Sequence, residues 1–296
     1  MSFRKFVLQK VCKYIPDKPW LEFKYYSHFR KPLDLKDPKT FNEKLQWLKL
    51  YYQKPSHTRM VDKCEMKAYV TEKVGPGYVV PLLGVWDSVD AIDFDALPDK
   101  FVLKTTHDCA GLVICTDKAK LDVKQAKQKL RAAMKNSYYL YYREWPYKNV
   151  VPRVIAEEYM VDESGTQLKD YKIFCFDGEP YCVAVDYDRF AGHKQRLYSL
   201  DWERMQVSRG YRDDPDVVIE RPDTLEAMIG IARELSKGEP FVRIDFYSIN
   251  HRPYVGEITF FPASGYVGFI PEQYDRIFGD MIVLPEKIME KDCVIR

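Results

Sequence analysis

The sequence predicts an α+β protein: helices first, then a small lobe of strands and helices, then a larger lobe of antiparallel strands with packed helices. Turn signals between neighbouring strand patterns carry part of this reading. Asp177-Gly178 sits inside "DYKIFCFDGEPYCVAVDYDRF" and "SINH" inside "RIDFYSINHRPYVGEITF", and such turns join antiparallel neighbours. The unit "DKFVLKTTHDCAGLVICTDK" also reads as strand, polar loop, strand, not as strand, loop, helix. The order of elements therefore argues against a doubly wound parallel sheet. A length of 296 residues with 46% hydrophobic and 30% charged content allows one large domain or two to three closely packed lobes. No low-complexity linker or internal repeat divides the chain.

Residues 1–60 hold 14 Lys and Arg against 5 Asp and Glu, while the whole chain is only +2. Such a basic end suits an anionic partner or a solvated helix face. "MSFRKFVLQKVCKYI" has the pattern of an amphipathic helix that could touch a membrane surface. Its apolar stretch is broken by lysines and too short for a signal core, and nothing approaches the ~18 apolar residues of a membrane span. The seven cysteines contain no C-x-x-C, so neither a zinc nor a redox motif is expected, and a reduced, cytoplasmic setting is.

"DPKTFNEKLQWLKLYY" opens with a capping box, Thr40 to Glu43, and carries Phe41, Leu45, Leu48 and Tyr52 near helical spacing. "VDKCEMKAYVTEKVG" is a second helix, capped by Asp62 and stopped by Gly75. "YVVPLLGVWDS" reads as a strand and turn. "FVLK" is a strand ending at Lys104, and Leu112 to Cys115 is the strand after its loop. "DVKQAKQKLRAAMKNS" is amphipathic at helical spacing, "RVIAEEYM" is a strand running into a chain crossing, and "TLEAMIGIARELSKG" is a helix closed by Gly238.

In the final hairpin, residues two apart share a face. Val242, Ile244 and Phe246 point one way, with Tyr254, Ile258 and Phe260 opposite them as the apolar side. Arg243, Asp245, Glu257 and Thr259 occupy the other face, which brings Asp245 opposite or diagonal to Glu257. Like charges so placed destabilise a sheet unless something neutralises them. Mg²⁺ would do so, because it takes few carboxylates and leaves positions for phosphate oxygens. Arg243 beside it suits a developing anion.

Lys104, at a strand end before the small polar loop Thr105 to Gly111, can reach phosphate oxygens while loop amides cradle them. Lys63 in "VDKCEMK" offers a second cation. Glu157, Glu158, Tyr159 and Met160 follow an apolar strand, where backbone groups can read an adenine edge and an acid can take ribose hydroxyls. Neither a Walker A loop nor a G-x-G-x-x-G is present.

The order of these pieces resembles the ATP-grasp superfamily, and more closely the TupA-like ATP-grasp family, named from teichuronopeptide biosynthesis. The stretches that carry the likeness are "DPKTFNEKLQWLKLY", "FVLKTTHDCAG", "REWPYKNVVPRVIAEEYM", "DYKIFCFDGEP" and "RIDFY…GEITFFPASG", spanning about residues 35 to 285. The resemblance implies an ATP-grasp fold, with the nucleotide between a small β/α lobe at residues 61–158 and a larger antiparallel-sheet lobe at 159–296. The helical basic region at 1–60 precedes both. It implies that Lys63 and Lys104 contact phosphates, with His107 and Gly111 in the phosphate loop, and that Glu157 to Met160 line adenine and ribose. Asp245 and Glu257 would hold Mg²⁺. Thr259 stands where many ATP-grasp enzymes have Asn. Arg243, Lys104 and Lys172 would act on the reacting anions, and Arg189 and Lys194 could add further cations.

The implied activity is an ADP-forming ligation of a carboxylate to an amine through an acyl phosphate, requiring ATP and Mg²⁺. The family association points to cell-surface polysaccharide biosynthesis, with an acidic, uronate-containing saccharide and an amino acid or amine as partners and no nucleic acid. A rival reading is sugar-nucleotide-dependent glycosyl transfer by the D-x-D at Asp186-Tyr187-Asp188. A non-catalytic nucleotide-binding module is a third.

Overall fold

The computed structural model describes residues 11–108, 110–162, 168–188 and 192–289. Among the described residues, four α-helices come first: α1 (Asp17–Phe29), α2 (Phe41–Tyr51), α3 (Pro55–Val61) and α4 (Glu65–Val74). The capping box forms as the sequence implies. Thr40 Oγ1 accepts from the Glu43 amide at 3.2 Å, and Glu43 Oε2 accepts from the Thr40 amide at 2.9 Å. Asp62 Oδ1 accepts from the amides of Cys64 and Glu65, and α4 stops at Gly75, whose φ of 88° suits a residue without Cβ.

A four-stranded antiparallel sheet follows, made of β1 (Leu82–Trp86), β2 (Phe101–Thr105), β3 (Leu112–Cys115) and β4 (Val154–Glu158) in the order β1-β4-β2-β3. Helix α5 (Val123–Met134) lays Leu130 into a core with Phe101, Leu103, Cys115, Val154 and Ala156. The short α6 (Tyr138–Tyr142) comes after it.

The larger sheet has five antiparallel strands: β5 (Asp170–Phe176), β6 (Glu179–Tyr187), β7 (Lys194–Ser199), β8 (Phe241–Ile249) and β9 (Arg252–Thr259), in the order β7-β6-β5-β8-β9. Asp177 and Gly178 make the first turn at φ 49° and 81°, and Asn250 and His251 make the hairpin turn at φ 50° and 59°. Helix α7 (Leu225–Ser236) packs on β5, β6 and β8. On the other face, Phe41 of α2 meets Phe241 at 4.9 Å and Phe176 at 6.3 Å, and Phe278 of α8 (Gln273–Asp280) meets Phe176 at 5.6 Å. Each such buried aromatic contributes roughly 1.5–3 kcal/mol.

That second face is divided. Phe174, Phe176 and Phe241 lie under α2 and α8. Asp170, Lys172 and Asp245 continue the same alternation on β5 and β8 beyond those helices, where they line an open cleft. Helices and cleft thus share one sheet surface.

The N-terminal helices belong to the larger lobe. Leu21 and Tyr25 of α1 pack with Leu50 and Tyr266, and Phe41, Leu45, Met60, Val61, Met66 and Val70 join the core of the larger sheet. Of the helices in the basic region at 1–60, α2 and α3 join this core, α1 forms a smaller cluster with Leu50 and Tyr266, and Lys24 and Lys49 are buried. The hydrophobic contacts of α4 likewise lie with the larger sheet. The proposed membrane-touching helix falls mostly on residues 1–10, outside the described residues. Among the described residues, no helix is long and apolar enough to cross a membrane.

Candidate active site

A cleft of about 770 Å³ lies between the two sheets, within the size range of small-molecule sites. The small sheet presents Val102, Lys104, Leu112, Ile114 and Glu157, which cross-strand pairing puts on one face. Glu158, Tyr159 and Met160 continue along the wall, and Lys63 stands just before α4. The larger sheet contributes Asp170, Lys172, Asp245 and Glu257.

The hairpin reaches this arrangement through a bulge. Ile249 pairs with Arg252, and strict alternation from there would set Glu257 opposite Ile244, on the core face. A register shift between Asp245 and Phe246 skips Gly256, so Val255 faces Phe246 and Glu257 faces Asp245. The position needs a glycine: a Cβ there would lie 2.9 Å from the Tyr247 ring. The same bulge corrects one expectation, since Tyr254 pairs with Tyr247 instead of joining the apolar side, and Val255 fills the core.

The carboxylates of the cleft are held by cations. Arg243 grips Asp245 with Nε at 2.6 Å and Nη2 at 2.7 Å, and Lys172 Nζ reaches Asp245 at 2.7 Å, Asp170 at 3.2 Å and Asp186 at 3.5 Å. Burial pushes the Asp245 carboxyl up, but Arg243 and Lys172 outweigh it and hold the group below the usual range. Lys63 Nζ stands 3.6 Å from Glu257 and donates to the Asp108 carbonyl at 3.0 Å. Across the cleft, Glu157 lies between Lys67 at 2.6 Å and Lys104 at 2.5 Å. Burial raises its carboxyl and the two lysines more than offset that, so it is ionised.

The structure thus gathers Lys63, Lys104, Lys172, Asp245 and Glu257 around one space, with Arg243 gripping Asp245. Other expected contacts differ. His107 is buried at 4% exposure, does not line the cleft, and has no hydrogen-bond partner on either ring nitrogen among the described residues. Its place in a phosphate contact is therefore withdrawn. The amides of Ala110 and Gly111 donate to Asp108 Oδ1 at 3.2 and 3.1 Å, so these loop amides are already committed. Gly111 is needed for packing, because a Cβ would lie 2.1 Å from Thr105 Oγ1. Glu157 is the lysines' counter-ion and not a ribose acceptor, which leaves the exposed Glu158 as the acid at that wall. Thr259 Oγ1 accepts from Arg243 Nη2 at 3.3 Å, so it anchors the arginine. Lys194 pairs with Asp188 and Asp214 outside the cleft, and Arg189 lies outside the described residues.

The D-x-D fares poorly as a metal site. Asp186 accepts from Gln195 Nε2 at 2.6 Å, and Asp188, turned to φ 52°, accepts from Lys194 at 3.1 Å. Neither residue lines the cleft.

Among the described residues, no group of three His, Cys, Asp or Glu could hold a metal on its own. Two facing carboxylates, with the Glu257 side chain 33% exposed, instead suit a Mg²⁺ ion that completes its shell with phosphate oxygens and water.

Sequence reasoning missed Lys67, Asp108, Asp170 and His193. Lys67 follows Lys63 at a four-residue spacing, and Asp108 precedes Gly111 in the D-x-x-G manner of a side-chain-capped turn. Those were available signals. The cleft place of His193 depends on the pairing of distant strands and had none.

Two antiparallel sheets closing on a cleft, with lysines on one wall and a carboxylate hairpin on the other, define an ATP-grasp protein. The TupA-like ATPgrasp family model matches residues 43–283, and the chain belongs to that family. No curated protein matches the sequence. Among solved structures, it is similar to D-alanine–D-alanine ligase from Bacillus anthracis complexed with ATP, at 14% identity and TM-score 0.44, over 75% of this chain and 63% of that one. ATP-grasp ligase PsnB, complexed with a precursor variant, Mg and ADP, gives 12% identity and TM-score 0.42, over 78% and 62%. N5-carboxyaminoimidazole synthetase from Staphylococcus aureus gives 14% and 0.42, over 68% and 44%. The chain spans less than two thirds of each of these proteins, and the family assignment rests on the sequence match.

Proposed function

We propose that this protein is an ATP- and Mg²⁺-dependent carboxylate–amine ligase. In this reading it joins an amino acid or amine to a uronic-acid-type carboxylate in cytoplasmic steps of cell-surface polysaccharide biosynthesis, releasing ADP and phosphate. The observation that supports it most is the pairing of Asp245 with Glu257 on one strand face, within a cleft that also holds Lys63, Lys104 and Lys172.

Val102, Leu112, Ile114 and Met160 form the apolar slot for the base, and Glu158 is the acid within reach of ribose hydroxyls. Lys63, Lys104 and Lys172 place positive charge on phosphate oxygens. Asp245 and Glu257 would hold Mg²⁺, which when bound neutralises charge on the phosphates. Arg243, half-buried and fixed by Asp245 and Thr259, would stabilise the anion that develops when the carboxylate is phosphorylated and then attacked. The chain supplies position and charge, and the acyl phosphate needs no side-chain nucleophile.

The test combines the protein with ATP, Mg²⁺, D-glucuronate and a mixture of amino acids. ADP and phosphate should appear only when carboxylate and amine are both present, and Glu257→Gln should lower that rate by about 10²-fold or more. Consumption of UDP-sugars in place of ATP, unaffected by Glu257→Gln, would reject the reading.

A further inference from the structure

Resting on that ligase reading, we propose that His193 is the general base that deprotonates the attacking amine, with Asp186 as its positioning partner. His193 is the one histidine that lines the cleft among the described residues. Its Nε2 is buried, 3.1 Å from Asp186 Oδ2, while the side chain as a whole is 32% exposed. The side chain is thus part-exposed at the cleft, with Nε2 turned to Asp186. Tyr211 lies against the ring with centroids 4.5 Å apart and limits its rotation. Asp186 is itself fixed by Gln195 at 2.6 Å.

An amine is an ammonium ion near neutral pH and has no lone pair to attack with. The acyl phosphate therefore needs a group that accepts a proton at that pH, and imidazole is matched to the task. Glu157 and Asp245 are not, because each is held between two cations. Lysine ammoniums cannot accept a proton at all. Several polar and charged groups surround His193. Asp186 of β6 touches it, Tyr211 lies tilted against it, and Asp170 and Lys172 of β5 stand beyond Asp186. Lys194 beside it in sequence is taken up by Asp188 and Asp214. The 3.1 Å contact with Asp186 is not aligned as a hydrogen bond.

The step balances as follows. One ammonium proton moves to His193, the freed lone pair forms the N–C bond, and the C–O bond to the phosphoryl group breaks with its electrons leaving on phosphate. A second nitrogen proton ends on that phosphate, the third stays on the amide, and His193 returns its proton to water.

Two nucleophiles separate this role from the ligase reading itself. Hydroxylamine is already neutral at pH 7 and needs no base, whereas amino acids do. With ATP, Mg²⁺ and D-glucuronate, His193→Gln should lower amino-acid-dependent ADP release about 10²-fold at pH 7. Hydroxylamine-dependent release should fall by less than about 3-fold, since no proton transfer is lost. In the variant, the amino-acid rate should climb about tenfold per pH unit between pH 7 and 9, while the wild type stays nearly flat. Asp186→Asn should show the same split, smaller in size. Equal loss with both nucleophiles, or no loss with either, would overturn the role of His193. A wild type that forms neither hydroxamate nor amide from D-glucuronate would overturn the ligase reading and this inference together.

Discussion

Replacing Lys172 with methionine keeps most of the unbranched side chain and removes the charge that three carboxylates share. The ammonium lies 2.7 Å from Asp245, 3.2 Å from Asp170 and 3.5 Å from Asp186, and all four groups are buried. Removing one partner from a buried ion pair costs about 3–5 kcal/mol, because the remaining charge loses its compensation. Asp245 keeps Arg243, which puts the expected loss near 3 kcal/mol. Urea unfolding at pH 7, followed by tryptophan fluorescence, reads it directly. Adding Asp186→Asn to the variant should recover part of the loss, since one carboxylate is then neutral. The pH dependence has a definite sign. Asp245 is held below its ordinary range in the fold, so its stabilisation is present above the unfolded value of about 3.9 and is lost as pH falls through the lower folded value. Without Lys172 the acid transition should start at higher pH. A loss under about 1 kcal/mol, with an unmoved acid transition, would refute the idea that Lys172 neutralises this cluster.

Gly256→Ala drives a Cβ to 2.9 Å from the Tyr247 ring and should cost about 1–3 kcal/mol in thermal unfolding, with Tyr247→Ala relieving it in the double variant. Burial pushes the Lys49 ammonium down to about 7, so between there and about 10.4 the unfolded chain binds the extra proton and stability should rise with pH. Lys49→Met should abolish that slope, measured as unfolding midpoint against pH, even though it also strips donors from Gln46, Tyr142 and Ser264.

Much of the fold was legible because local chemistry specified it. Thr40 and Glu43 announce a helix start, Asp177-Gly178 demands a two-residue turn, and Gly75 ends a helix. The hairpin was only partly legible. Odd-numbered alternation placed Asp245 and Glu257 on one face, yet the Ile249–Arg252 closure gives the opposite parity, and the bulge at Gly256 reconciles the two. A glycine inside a strand pattern was the signal for that bulge.

Within the site, Lys104 was marked by its strand end and Arg243, Asp245 and Glu257 by their hairpin positions, whereas Lys63, before helix α4, and Lys172, inside β5, rested on the family resemblance. Partner choice was not legible. That Glu157 joins Lys67 to Lys104, that Asp108 occupies the loop amides, and that His107 is buried all depend on contacts between segments far apart in sequence. Nor does the basic N-terminal count reveal that α2 carries Lys49 into the core.

The most direct test of the ligase account follows one oxygen atom. D-glucuronate labelled with oxygen-18 in its carboxylate is incubated with the protein, ATP, Mg²⁺ and amino acids, and the released phosphate is analysed by mass spectrometry. An acyl-phosphate route transfers one labelled oxygen to each phosphate formed. Release of ADP with unlabelled phosphate would contradict it.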